Sequence, residues 1–254
     1  MIFSSLRASA RLAALLLAAS VVAVHAQPVA NEEYLSALER GDLDTAARLV
    51  PSGVDVDARR SDGKTLLILA AKENDVILVR RLIAAGANVN ATTNNGGTAL
   101  MFAAIRGDVE TQRLLVAAGA DVDAIGGFDW TALTVAAVKG HTAAVRQLLA
   151  SGASPNLADI YGWTPLMRAV YEEREQVVWA LLEQAGIDLD QKNDQGATAL
   201  HLAAVKGNAR LARALLSAGA SPVIQDREGR TPAMLAVSVG HAEMAALLEA
   251  RATH

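Results

Sequence analysis

The sequence contains no cysteine, which excludes disulfide bonds, cysteine-ligated metal centres and a thiol nucleophile. It also lacks a run rich in Lys or Arg, and its formal net charge is −4. Both features argue against a general affinity for nucleic acid or anionic lipid. Aromatic residues amount to only 4% of the chain, whereas Ala and Leu, which are strong helix formers, are abundant. The composition therefore favours a helical protein with few aromatic side chains.

Long apolar runs are absent as well. The longest, Leu12 to Val24, is too short to cross a bilayer comfortably, since a spanning helix takes about 20 residues. It follows a basic segment with Arg7 and Arg11 and ends at small residues before a polar stretch, which is the order of a secretory signal peptide. We predict a signal peptide over residues 1–26.

Cleavage is expected after Ala26, so that the mature chain begins at Gln27. The cleaved segment carries two arginines and no acid, and its loss changes the net charge from −4 to −6. The alternative is an uncleaved segment that tethers the protein to a membrane. We expect a periplasmic or secreted location in a bacterium.

What the chain has in place of these features is a repeat. Six threonines recur at a spacing of 33 or 34 residues. Glycine precedes five of them by two residues, small residues follow five and six positions later, and leucine always follows seventeen positions later. The threonines are Thr65, Thr98, Thr131, Thr164, Thr198 and Thr231. A fixed period of this length is the signature of a stacked solenoid.

Each repeat can be interpreted as a pair of helices. The threonine oxygen accepts an amide hydrogen that the first helix turn leaves unpaired, and proline suits the next position, where Pro165 and Pro232 stand. A glycine ends this first helix, and the second helix carries the leucine. An extended turn rich in Asp and Asn then leads to the next unit.

The stretches GWTPLMRAV (162–170), GATALHLAAVKG (196–207) and GRTPAMLAVSVGH (229–241) resemble the ankyrin repeat, with its T-P-L-H-x-A motif. The resemblance covers about residues 31–254 and implies an all-α solenoid of helix–turn–helix pairs with β-hairpin-like loops. Only His201 occupies the histidine position of the motif, where the family uses it to tie one turn to the next.

We predict a single ankyrin-repeat domain over residues 27–254, with about seven units. The units start near residues 32, 65, 98, 131, 164, 198 and 231. Five are internal and two are caps, because the first unit has a polar first helix and the last has Glu249 where internal units are apolar.

No pattern in the chain indicates catalysis. His141 and His241 follow helix-ending glycines, and His201 lies in the motif, so the repeat accounts for all three. The runs of Asp at alternate positions match turn-favouring Asp rather than a calcium loop. We therefore predict no enzyme activity, no cofactor and no metal. The rival interpretation is an enzyme hidden in the solenoid, which would need perturbed carboxylates or histidines beneath a pocket.

The resemblance implies a concave groove lined by the hairpin tips and the first helices. Two central units carry large rings at these positions, whereas the outer units carry charged or small polar residues. The predicted partner-binding residues are Phe128, Trp130, Tyr161, Trp163 and Tyr171, extended by Ile105 and Val138. An aromatic centre with a polar rim is the anatomy of a protein interface. The alternative is that the rings stack on each other and only tighten adjacent turns.

These observations predict a non-catalytic scaffold that binds another protein through the groove, with no nucleic-acid or small-molecule ligand. Membrane contact is expected only if the leader is retained. The mature charge of −6 favours a basic partner. The alternative function is a structural or self-associating solenoid in the cell envelope. Trp179, on the outer side of a second helix, is either a second contact or a stacking partner.

Overall fold

The computed structural model describes residues 29–252, so the predicted signal peptide lies outside the described residues. The first helices of the seven units are α1 (29–40), α3 (Leu66–Glu73), α5 (Ala99–Arg106), α7 (Ala132–Lys139), α9 (Pro165–Tyr171), α11 (Ala199–Lys206) and α13 (Pro232–Ser238). The second helices are α2 (Leu43–Leu49), α4 (Val76–Ala84), α6 (Val109–Ala117), α8 (Thr142–Ala150), α10 (Glu175–Leu182), α12 (Ala209–Ala218) and α14 (Ala242–Ala252). Short 3₁₀ turns occur at Val50–Ser52 and Gly127–Asp129.

The units stack in chain order. From α3 to α13 each first helix packs against the next first helix, and from α4 to α14 each second helix does the same. The predicted all-α solenoid of about seven helix pairs is confirmed. No helix within residues 29–252 combines the length and the apolar character that a membrane span requires.

The core follows the repeat. Paired small residues in the first helices, such as Ala103 and Ala104 or Ala203 and Ala204, are fully buried, because they let neighbouring helices approach closely. The repeated leucine of the six second helices from α4 to α14 is also fully buried. These leucines are Leu82, Leu115, Leu148, Leu181, Leu215 and Leu248.

The helix starts are capped as the sequence predicts. Thr131 Oγ1 accepts the amide of Thr134 at 3.2 Å, and Thr164 Oγ1 accepts that of Met167 at the same distance. Four of the second helices, α2, α4, α6 and α12, are capped by Asp or Asn instead, as where Asp75 accepts the amide of Leu78 at 2.9 Å.

Two histidines connect adjacent units. His141 Nε2 donates to the carbonyl of Ile105 at 3.0 Å, and His241 Nε2 donates to that of Val205 at 3.1 Å. Each ring lies against the glycine that ends the first helix of the preceding unit. A Cβ atom added to that glycine would come within 2.8 Å of the histidine ring. These histidines therefore satisfy carbonyls at helix ends, as the repeat pattern indicates.

The Asp- and Asn-rich turns form a ladder along the stack. In each turn an Asx Oδ1 atom accepts an amide hydrogen from the corresponding turn of the next unit, at 2.8–2.9 Å. The acceptors are Asp57, Asn90, Asp123, Asn156 and Asp190. The turn interpretation of these acids is thus confirmed. Among residues 29–252 no group of three or more His, Asp or Glu is arranged to hold a metal ion.

Candidate functional site

The seven predicted residues occupy hairpin tips and first helices of three consecutive units, and we call them the aromatic patch. Phe128 and Trp130 lie in one hairpin, Tyr161 and Trp163 in the next, and Tyr171 ends α9. Ile105 and Val138 lie near the ends of α5 and α7. Phe128, Tyr161, Tyr171 and Ile105 are exposed, with Phe128 the most exposed of them at 64%.

Trp130 and Trp163 are only partly exposed, which differs from their predicted solvent-facing placement. Both indoles pack against the hydrophobic core. They also face the Arg168 guanidinium, whose carbon lies 5.3 Å from the Trp130 ring centroid and 4.7 Å from that of Trp163. The indoles are half-buried because a cation of α9 lies against both of them.

Arg168 is the principal residue that sequence reasoning missed. It stands at the first-helix position that is apolar in every other threonine-anchored unit: Leu69, Phe102, Val135, Leu202 and Leu235. The signal in the sequence is this charged residue at a position where the aligned repeats are apolar.

Asp159 holds Arg168 in place. Arg168 Nε donates to Asp159 Oδ2 at 2.9 Å, and a second guanidinium nitrogen contacts the same oxygen. Asp159 Oδ1 accepts the amides of Tyr161 and Trp163 at 2.9 and 3.0 Å. The Asp159 side chain is fully buried. One carboxylate thus fixes the hairpin that carries two patch rings and the cation between the indoles.

The arrangement continues beyond Trp163. Tyr171 meets Trp163 edge to face, with ring centroids 5.3 Å apart and an interplanar angle of 86°. Lys206 Nζ, from the following unit, lies 3.9 Å from the Tyr171 centroid. Trp130, Arg168, Trp163, Tyr171 and Lys206 therefore form a cation–π ladder across three units. Trp163 and Tyr171 belong to one unit, so the contacts of the ladder between units are made by cations.

Phe128 has an unusual backbone. Its φ is 61° and that of Asp129 is 57°, so two consecutive residues without glycine are left-handed. The neighbouring hairpins place Gly96 and Gly162, with φ of 76° and 74°, at the position of Asp129. A left-handed bulky residue is an outlier that the surrounding structure must impose, and such residues cluster at functional sites.

The Trp130 indole nitrogen is buried and has no hydrogen-bond partner among the described residues. Trp179, in contrast, is accounted for. The Arg210 guanidinium carbon lies 4.5 Å from its ring centroid, and Arg210 also pairs with Glu175 at 2.7 Å. Trp179 thus stacks with a cation of the next second helix.

His201 performs the linking role that the ankyrin resemblance implies. The amide of Thr198 donates to its Nδ1 at 3.1 Å, and its Nε2 donates to the carbonyl of Arg230, in the next unit, at 3.1 Å. The ring is fully buried. Burial lowers the pKa of His201, since the charged imidazolium would lose its hydration.

Comparison with known proteins agrees with the stacked helix pairs of the fold. The family model for ankyrin repeats (3 copies) matches residues 34–126, 123–193 and 185–253, nearly the whole described chain. Among solved structures, the ankyrin repeat domain of Bcl-3, titled a unique member of the IkappaB protein family, is similar with a TM-score of 0.73 and 29% identity. The match covers 84% of this chain and 96% of the Bcl-3 domain. The chain therefore belongs to the ankyrin-repeat family, whose domains are generally non-catalytic modules that bind other proteins.

Proposed function

We propose that this protein binds a partner protein through the aromatic patch, on the concave face of its central units. The observation that carries the proposal is the exposure of Phe128, Tyr161 and Tyr171 beside two indoles that the cation–π ladder already holds in place. Exposed aromatic clusters of this kind are characteristic of interaction sites.

Preorganisation gives the patch its binding strength in this proposal. Asp159 fixes the hairpin and Arg168 fixes both indoles, so these groups lose little conformational entropy when a partner docks. Trp and Tyr are also the residue types most enriched among interface hot spots. A partner would therefore gain contact with rings that are ordered before it arrives.

The test uses the exposed rings, because Trp130 and Trp163 also support the fold. We would compare the wild type with a Phe128→Ser/Tyr161→Ser/Tyr171→Ser variant in affinity capture from cell-envelope extract. An Ile77→Ser/Val223→Ser variant serves as control, since both residues are exposed apolar side chains outside the patch. The proposal expects a specific partner that only the triple variant loses, with unchanged helical circular dichroism.

Truncation of hot-spot rings costs about 2 kcal/mol or more each, which corresponds to a loss of roughly thirtyfold or more in affinity. Equal capture of the same proteins by the wild type and the triple variant would refute the patch as the binding site. Sedimentation at several concentrations would detect the structural alternative, because a self-associating solenoid gains mass as concentration rises.

We also propose that residues 1–26 direct export and are removed after Ala26, on the strength of their basic, apolar and small-residue order. N-terminal sequencing of the mature product should begin at Gln27. A product that begins at Met1 and sediments with membranes would instead indicate a retained anchor.

A further inference from the structure

The last unit ends the stack with an apolar face. Met234 and Val237 of α13 are 55% and 61% exposed. The residues at the same two positions of the earlier threonine-anchored units are buried, because the first helix of the next unit packs on each of these helices. They are Ile68, Met101, Thr134, Met167 and His201 at the first position, and Ala71, Ala104, Ala137, Val170 and Ala204 at the second. Met234 and Val237 thus continue the surface by which one unit contacts the next, and we call them the terminal face.

The hairpin of the last unit is uncovered at the same end of the stack. In four earlier units, an amide of the next hairpin donates to the carbonyl three residues before the threonine, as Arg227 does to Gln195 at 2.9 Å. Glu228 holds this position in the last unit, and no backbone amide within residues 29–252 donates to its carbonyl. The terminal face therefore extends an interface between units that is already present throughout the stack.

Other features of the last unit do not suit a further ankyrin unit as the occupant of this face. Val223 stands at the position of the Asx residues of the turn ladder, and a valine side chain cannot accept an amide hydrogen from a following turn. Glu249 is exposed and replaces the apolar residue that internal second helices have there. The last unit is thus a cap at its turn and its second helix, but not at its first helix.

The two ends of the stack differ in polarity, and this difference indicates which surface covers the terminal face. Glu32, Glu33 and Ser36 of α1 are exposed at the first unit. A head-to-tail contact between two copies would place these carboxylates against Met234 and Val237, which is unfavourable without a partner for the charge. Two terminal faces, in contrast, match each other because both are apolar. Such a contact between identical faces is twofold and closes at two copies, the commonest arrangement among soluble oligomers.

We infer that this protein forms a dimer in which the terminal faces of two copies pack together about a twofold axis. Met234 and Val237 of each copy are then covered by the same residues of the other. The contact goes beyond the proposed function, since no residue of the aromatic patch belongs to the last unit. It also differs from the self-associating solenoid described above, because a twofold contact cannot add a third copy.

The test is the mass of the full-length protein over a dilution series, measured by sedimentation equilibrium. The wild type is compared with Met234→Glu/Val237→Glu and with a control, Ile77→Glu/Ile125→Glu. The control places the same charges on exposed apolar residues of earlier units. All three proteins carry the same residues 1–28, so any contribution of that segment to the mass is common to them.

We expect the wild type and the control to approach twice the mass of one chain and to stop there. Met234→Glu/Val237→Glu should raise the Kd of dimerisation by about tenfold or more, because each copy would bury carboxylates in an apolar contact. Its circular dichroism should be unchanged, since both residues are exposed in a single copy. A wild type that is monomeric at every concentration, or whose mass continues past two copies, would overturn the inference.

A second measurement identifies the faces in contact even if the charged variant folds poorly. Because the chain has no cysteine, Val237→Cys introduces a single thiol, and a short bis-maleimide links two copies only where their terminal faces meet. Ile77→Cys, on the outer side of α4, is the control. We expect a linked dimer from Val237→Cys alone, and equal linking of the two variants would contradict the twofold contact.

The dimer and the proposed function can fail separately. The Phe128→Ser/Tyr161→Ser/Tyr171→Ser variant should dimerise as the wild type does, and Met234→Glu/Val237→Glu should still capture the partner of the aromatic patch. A monomeric wild type that captures a protein lost by Met234→Glu/Val237→Glu would show that a different protein, rather than a second copy, covers the terminal face.

Discussion

Phe128 illustrates a conflict between local preference and function at the scale of a single residue. The left-handed backbone of this bulky residue costs of order 1–3 kcal/mol. Because the side chain is 64% exposed, its burial contributes little hydrophobic stabilisation. The proposed contact with a partner would offset both costs.

Phe128→Asn is expected to raise stability by about 1 kcal/mol, because Asn tolerates the left-handed conformation better. The same change should weaken partner binding, since it removes the most exposed ring of the patch. Urea denaturation and affinity measurement check the two effects. A variant that loses stability would show that the Phe128 ring supports the hairpin.

His201 supplies a residue-scale prediction about pH. Its pKa is lowered in the folded state by burial, so the unfolded chain takes up the proton at higher pH. The stabilisation from the neutral ring is full above the ordinary histidine pKa of about 6.5 and is lost as pH falls below it.

Consequently the free energy of unfolding should fall more between pH 7 and pH 5 in the wild type than in His201→Met. Methionine is a suitable replacement because Met101, Met167 and Met234 occupy the equivalent position in other units. Parallel pH dependence in the two proteins would mean that His201 titrates normally.

At the scale of the element, α9 is joined to its hairpin by the buried pair of Arg168 and Asp159. Arg168→Leu should lower stability by about 3 kcal/mol, because it strands a buried carboxylate. The double variant Arg168→Leu/Asp159→Asn reproduces Leu202 and Asn193 of the following unit and should recover most of that loss. Chemical denaturation measures both, and a double variant no more stable than the single one would contradict this explanation.

Helix α6 contains two buried polar residues where the other second helices are mostly apolar. Thr111 and Gln112 are fully buried, and the amide atoms of Gln112 have no hydrogen-bond partner among the described residues. Val79, Val145 and Val178 fill the position of Gln112 in α4, α8 and α10.

Gln112→Val should therefore raise the free energy of unfolding by about 1–3 kcal/mol, since it removes buried polar atoms that lack partners. Gln176→Val, at an exposed position of α10, is the control and should change stability little. Thermal unfolding compares the two, and equal effects would argue against a special cost at Gln112.

At the scale of the whole molecule, each unit contacts mainly its neighbours, so stability is a sum of local terms and the ends can unfold before the middle. The three tryptophans, Trp130, Trp163 and Trp179, all lie in central units. Fluorescence therefore reports the centre of the stack, whereas circular dichroism reports every helix.

In a urea titration we expect the circular dichroism transition to begin at lower denaturant than the fluorescence transition. The patch, in the central units, would then remain ordered while the terminal helices fray. Superimposable curves would instead indicate a single cooperative unit.

The threonine spacing predicted the helix pairs, the caps and the core, because each depends on residues close in sequence. The patch residues could be placed on hairpins and first helices for the same reason. The ladder could not be predicted, since Trp130 and Arg168 meet only when two units stack. The backbone of Phe128 also went unrecognised, because Asp129 replaces a glycine without changing the repeat length.

The one irregular spacing in the repeat has a practical consequence. Thr164 and Thr198 are 34 residues apart, yet Asn156 still accepts the amide of Asp188 at 2.9 Å, so the loop after α10 absorbs the additional residue without breaking the turn ladder. Ala185 and Gly186 in this loop are exposed. A fluorophore or short affinity tag introduced between them would extend a loop that already accommodates extra length, and would leave the hairpins of the aromatic patch untouched.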